Sequence, residues 1–368
     1  MRRLPVLGAA LITFAVVIGL VGPAWAQEPA ESTDHGRVSI LKVEGLIDPV
    51  MADFISRSIT EGERAGVVAV VLQLDSAQAT IDDGRLVQLA TQIHNSEVPV
   101  AVWVGPSGSS ARGRTAQLVG AAELVGIAPG ARLGKTGELV VPERLLSPAF
   151  VAASQRLKTS TVNAEEAYKL KITQSEQAPV IGEFLIDIPG FQSEQVKQGN
   201  RTVTQPLTTP VFSSLDIQAQ LFHTVSSPAA AYLLLVIGLS LILFEFFTAG
   251  VGIAGLVGAG CFLLASYGLA TLPVRYWALA LIGFAMFGFG VDVQIGVPRA
   301  WSVIASISLI IGSVWLYDGF DQSWITLLVG IGGVISAMVL GMPIMVRTRF
   351  STPAIDREWL IGERGEAV

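Results

Sequence analysis

Between Tyr232 and Val346 the chain carries only six charged residues, Glu245, Arg275, Asp292, Arg299, Asp318 and Asp321, and most stand at the ends of apolar runs. Runs of that length and composition fit a bilayer, and a helix is the form in which each satisfies its own backbone there. The spacing predicts helices at about 231–247, 250–270, 275–292, 300–317 and 323–346, a bundle of about five spans within residues 229–347. Glycine is frequent among them, and small residues such as Gly255 and Ala259 suit close helix packing better than a pore. A transporter would place ionisable groups in mid-span, and only Glu245 and Asp292 come near that.

The 368 residues leave room for further domains. A net charge of −6, from 24 basic and 30 acidic residues without a dense block of either sign, recommends no nucleic-acid partner. The one cysteine, Cys261, lies in an apolar run and reads as a small packing residue. Three histidines, His35, His94 and His223, are far apart in sequence and near no cluster of carboxylates or cysteines, which argues against a metal site or a Ser/His/Asp triad. No cofactor is implied. Arg2 and Arg3, the apolar run Leu4–Gly22 and the small-x-small triplet Ala24-Trp25-Ala26 read as a cleaved secretory signal over residues 1–26. The chain from Gln27 to about Ser227 is then expected outside the cytoplasm. An odd number of spans brings the C-terminus inside. Arg299, Arg347, Arg349 and Arg357 fall on the inner side of that arrangement, Asp318 and Asp321 on the outer, and Arg275 alone dissents.

From Gly36 onward the periodicity alternates. Val38–Leu41 is a short apolar strand, and Val50, Phe54, Ile55 and Ile59 recur at helical spacing. Val67–Leu74 and Val98–Val104 are nearly unbroken aliphatic runs, as strands buried on both faces of a parallel sheet require. Leu86, Leu89, Ala90 and Ile93 mark a helix whose His94 faces solvent, and Thr115–Val125 reads as a further helix. Repeated βαβ crossovers predict an α/β domain with a parallel sheet over residues 36–188. Residues 189–228 turn polar and irregular and read as a linker, and 348–368 as a cytoplasmic tail.

Four stretches carry a specific resemblance when taken together: EGLIDP (Glu44–Pro49), VPVAVWVGPSG from Val98, LVGAAELVGIAPG up to Gly130, and FEFFTAGVGIAGLVG (Phe244–Gly258), with Glu165–Ala167 beside them. The chain resembles the NfeD family of membrane-bound ClpP-class serine proteases. That resemblance implies an extracytoplasmic crotonase/ClpP-like α/β domain, a helical membrane bundle and a small C-terminal OB-fold barrel, of which Asp356–Val368 looks like the opening strand. The family's nucleophilic serine lies sixteen residues before the proline of Ala-Pro-Gly, and counting back from Pro129 reaches Gly113. Its oxyanion-side Asp-Thr-Pro-Gly-Gly is matched by Asp75-Ser76-Ala77-Gln78-Ala79, which has lost both glycines and with them a conformation that aims backbone N–H groups cheaply. The general-base lysine expected about forty residues after the nucleophile is missing between Ser147 and Arg156, and Lys158 is the nearest candidate.

No catalytic residue is therefore assigned. Ser107, Ser109, Ser110, Lys135 and Lys158 are weak alternatives for a relocated dyad, because polar residues are ordinary in such a turn. Gly130–Thr136 spells a phosphate loop with three residues between its glycines where that loop needs four. The reading is a cell-membrane, multi-pass protease homologue whose domain has lost catalysis and serves as a binding or scaffold module. The resemblance implies stomatin/prohibitin-type membrane partners, and a homo-oligomer is expected. The alternative is an active serine endopeptidase that cleaves apolar segments of membrane proteins.

Overall fold

A computed structural model describes residues 36–198, 201–248, 252–295, 300–320 and 322–345. The segment 1–26 expected to be a signal, Arg299, Asp321, Arg347, Arg349, Arg357 and the stretch Asp356–Val368 expected to open a barrel lie outside these residues.

Aliphatic strands and amphipathic helices alternate as the periodicity predicts. The elements are β1 (Arg37–Glu44), α1 (Pro49–Ala65), β2 (Ala69–Asp75), α2 (Asp83–Asn95), β3 (Val100–Val104), β4 (Ser110–Arg112), α3 (Arg114–Ala121), β5 (Leu124–Ile127) and β6 (Arg132–Gly134). After them come α4 (Pro148–Thr159), β7 (Thr161–Val162), α5 (Ala164–Lys169), α6 (Ile181–Ile186), β8 (Ser193–Gln198), β9 (Arg201–Pro206), β10 (Thr209–Ser213) and α7 (Ile217–Val225). The main sheet runs β10-β1-β2-β3-β5, all parallel. Its interior strand β3 is buried at every residue, so only apolar side chains are tolerated on either face. A smaller sheet, β4-β6-β7, stands beside it. Helix starts follow capping chemistry: Asp48 caps α1 ahead of Pro49, and Asn163 with Glu166 forms a reciprocal box on α5.

Two sequence expectations need correcting here. Residues 189–228 are more than a linker, because β10 pairs with β1 in register from Arg37↔Thr209 to Leu41↔Ser213 and closes one edge of the sheet. The strand is short, contains Pro210 and leaves Val211 and Phe212 exposed, so it lacks the alternation that marks a half-buried strand. The helix expected over 115–125 stops at Ala121, since Leu124–Ile127 is drawn into the sheet as the partner of Ala101–Val104.

The apolar helices are α8 (Pro228–Thr248), α9 (Ile253–Thr271), α10 (Tyr276–Ile295), α11 (Ala300–Val314) and α12 (Trp324–Ser336), the last running on through a π-helical turn to residue 345. Among the described residues four are long and apolar enough to cross a membrane; α11, the fifth, has 15 residues and reaches about 22 Å, short of the hydrocarbon core. The expected five spans thus become four full-length helices and one short one. Tyr232, Leu235, Ile282, Phe289 and Leu309 form the packed centre, while Phe246, Leu256, Leu263 and Trp324 face outward. Helices α8 and α9 approach backbone to backbone: a Cβ on Gly238 would lie 2.9 Å from the Gly258 carbonyl oxygen, and the reverse holds as well. Gly255 packs against Glu245 of α8 as expected of a small residue, Gly258 makes the close backbone contact, and Ala259 is exposed. Glu245 turns back to accept from the N–H groups of Gly252 (3.0 Å) and Gly255 (3.3 Å), so its carboxylate caps α9, and Asp292 accepts from Ser302. Both ionisable groups are thereby engaged in holding helices.

Candidate functional site

Strand β4 ends at Arg112 and α3 begins at Arg114, so Gly113 is the hinge between a strand and a helix N-terminus. It has φ 57° and ψ −141°, a conformation that costs any residue with a Cβ strain energy. Parallel pairing of Ser110–Arg112 with Arg132–Gly134 holds the strand side, and the helix side is held by Arg114, which donates to the Ile81 carbonyl (3.0 Å) and pairs with Asp83 on α2. A side chain at position 113 would therefore be aimed into the space over Asp75–Thr80. Backbone N–H groups at the start of α3 would favour negative charge in that space.

That space is filled by Gln78. A Cβ added to Gly113 would fall on the Gln78 amide oxygen, with Gln78 Cδ at 2.9 Å. The segment that carries Gln78 is pinned from several sides. Ser76 donates through its hydroxyl to the Gln78 carbonyl (3.1 Å), and its oxygen lies 3.1 Å from the buried Thr115 hydroxyl of α3. The Ser76 N–H donates to Ser110, Arg112 to Ser76, and Ile47 to the Gln78 carbonyl. Asp75 accepts from the Ser110 N–H at 2.9 Å, so the aspartate of the oxyanion-side motif acts as a brace for β4.

The weak alternatives do not converge. Ser109 is buried, and its backbone links Pro106 to Arg132; Ser110 belongs to β4 rather than to a flexible turn, which corrects the expectation for it. The Ser107 hydroxyl donates to the Pro129 carbonyl at 2.5 Å. Lys135 is exposed with φ 50°, and its N–H donates to Ser160. Lys158 pairs with Glu138 at 2.5 Å rather than with a serine hydroxyl. Among the described residues no serine hydroxyl is bonded to a lysine ammonium, and no group of three or more His, Cys, Asp or Glu is placed to hold a metal.

Two residues escaped sequence reasoning. Gln78 was visible as a lost glycine, but not as a side chain that occupies the vacated room. His223 stands near no cluster of carboxylates in sequence, yet it lies 3.0 Å from Asp48, 175 positions away. A histidine beside the first apolar helix was the available signal.

Residues 229–345 match the NfeD integral membrane domain. Along nearly its whole length the chain is similar to the membrane-bound protease PH1510 of Pyrococcus horikoshii, at 23% identity over 97% of this chain and 87% of that one. Its soluble part is similar to the solved domain 1510-N, described as a membrane protease specific for a stomatin homologue from the same organism (21% identity, 52% of this chain, 99% of that one, TM-score 0.40). It is also similar to an enoyl-CoA hydratase/isomerase (crotonase) from Legionella pneumophila (19% identity, 37% of this chain, 62% of that one, TM-score 0.30). This is a membrane protein with a parallel-sheet α/β domain ahead of a segment that matches the NfeD integral membrane domain.

Proposed function

We infer that this chain is a membrane-anchored protease-like module that has lost hydrolysis and works as a binding or scaffold domain. The observation that carries the reading is the Gln78 side chain lying where the Cβ of a nucleophile would stand, over a Gly113 hinge that keeps the strand-to-helix turn. A nucleophile, a base and an oxyanion site act together, and here the first two are replaced by Gly113 and a salt-bridged Lys158. An active endopeptidase would need a relocated dyad, and the engaged serines and lysine speak against one.

The domain faces the outside of the cell in this reading, the C-terminus lies in the cytoplasm, and the partner is a stomatin/prohibitin-type membrane protein, in keeping with the specificity of the P. horikoshii domain 1510-N for a stomatin homologue. Two measurements test it together. Full-length protein in detergent should leave casein intact at high enzyme concentration, and it should co-purify with a co-expressed stomatin-type protein. Casein cleavage abolished by Ser109→Ala or Ser110→Ala would refute the loss of catalysis.

A further inference from the structure

The soluble elements and the apolar helices form one compact unit from Gly36 onward. Their meeting point is the segment Glu44–Asp48. Leu46 packs against the core of the helical bundle, and Phe222 of α7 meets Tyr267 of α9 in a tilted contact with ring centroids 4.8 Å apart. His223 of α7 then reaches into the soluble domain, with Nδ1 3.0 Å from the Asp48 carboxylate and Nε2 3.0 Å from the Glu44 carbonyl oxygen. Gly45, with φ 82°, leaves room for that ring: a Cβ there would lie 3.1 Å from Nε2.

The same five residues hold the loop of the candidate site. Gly45 donates to the Asp75 carbonyl (3.0 Å), Ile47 donates to the Gln78 carbonyl (3.0 Å), and Thr80 donates to the Ile47 carbonyl (2.9 Å). A continuous set of bonds thus runs from α7 through Glu44–Asp48 to the residues that plug the Gly113 hinge. We propose that Glu44–Asp48 is a relay between the membrane bundle and the Asp75–Thr80 loop, and that His223 is its releasable catch. This goes beyond the proposed function, and it holds whether or not the domain hydrolyses peptides.

Chemistry makes the catch conditional on a proton. Both partners of His223 are acceptors, a carboxylate and a carbonyl, so only the imidazolium can donate to the two at once. Loss of the proton turns one ring nitrogen into an acceptor facing another acceptor, and one bond must break. Other charged or titratable groups on the surrounding elements are Lys42 and Glu44 of β1, paired with each other at 3.1 Å, Asp53 of α1, Tyr267 of α9 and Asp216 at the start of α7. Burial disfavours the charged ring, but the bond and charge of Asp48 and the Glu44 carbonyl outweigh it, leaving the pKa above the ordinary histidine value. With a folded-state pKa raised in this way, the catch is complete below about pH 6.5 and is lost as pH rises through the raised value. A cavity of about 460 Å³ bordered by Lys42, Ser214, Gln220 and Ser227 gives the ring access to solvent protons.

Hydrogen–deuterium exchange on the full chain in lipid nanodiscs tests this. After correction for intrinsic rates, amides of residues 44–48 and 75–80 should both exchange about tenfold or more faster at pH 8.5 than at pH 6, because a hydrogen bond to a charged group is lost. His223→Leu should show the fast rates already at pH 6 with no pH dependence. Gln220→Ala, one turn away, should behave as wild type. Asp48→Asn keeps an acceptor but removes the charge, and should move the transition to lower pH. Residues 100–104 of β3 should stay protected throughout, which marks an intact fold. Unchanged exchange at 75–80 while 44–48 responds would overturn the relay, and no pH response at either segment in wild type would overturn the catch, even if His223→Leu does not fold.

Discussion

Gly113→Ser places a hydroxyl where the proposed function sets the missing nucleophile, and the geometry predicts that it destabilises the domain. The new Cβ must adopt φ 57° and ψ −141°, which costs about 1–3 kcal/mol. It would also fall on the Gln78 side chain, and displacing a packed group costs about 1–3 kcal/mol more. The expected total is ~2–6 kcal/mol, or a fall in Tm of roughly 4–24 °C for a domain of this size. Gln78→Gly in the same chain should restore the second part only, so the pair is non-additive, with a coupling of about 1–3 kcal/mol. Differential scanning calorimetry of wild type, both single variants and the double variant in detergent completes the cycle. The reasoning fails if Gly113→Ser lies within ~0.5 kcal/mol of wild type, or if Gln78→Gly adds its own loss without any rescue.

Other consequences follow from packing and orientation. Phe150 on α4 is fully buried against Gly120 of α3, and Phe150→Ala should cost about 3–5 kcal/mol by thermal unfolding. Gly258→Val should loosen α8 from α9, since its Cβ would meet the Gly238 carbonyl and the Ile242 N–H at 2.9 Å, and backbone cannot move aside; a loss of about 1–3 kcal/mol is expected. Gly260→Ala, with nothing within 4 Å, should change stability by less than ~0.5 kcal/mol in the same assay. Reporter fusions after Gln192 and after Arg349 should report opposite compartments, and equal signals would refute the proposed orientation.

The bundle and the sheet core were legible because one property dominates each. Unbroken apolar runs admit only a membrane helix, and β2 and β3 are nearly all aliphatic because both their faces are covered. Strand β10 was not legible, since an edge strand with Pro210 and an exposed Phe212 is held by backbone pairing to β1 that leaves no side-chain pattern. The short α11 was counted as a full span because composition alone does not reveal where a helix stops. At the candidate site the departures at Gly113, at Ala77–Ala79 and between Ser147 and Arg156 could be read only against the pattern that the resemblance implies. What fills the site could not: whether Gln78 points to Gly113 or to solvent depends on bonds from Ser76 and Ile47, and the pairing of His223 with Asp48 joins residues 175 positions apart.

The central claim is that no activated nucleophile exists in the soluble domain. Labelling of the full-length protein with a fluorescent fluorophosphonate, followed by mass-spectrometric mapping, tests it most directly. The account predicts no label above a heat-denatured control at any pH between about 6 and 9. Stoichiometric label mapped to Ser107, Ser109 or Ser110, and lost on Lys158→Ala or Lys135→Ala, would contradict it.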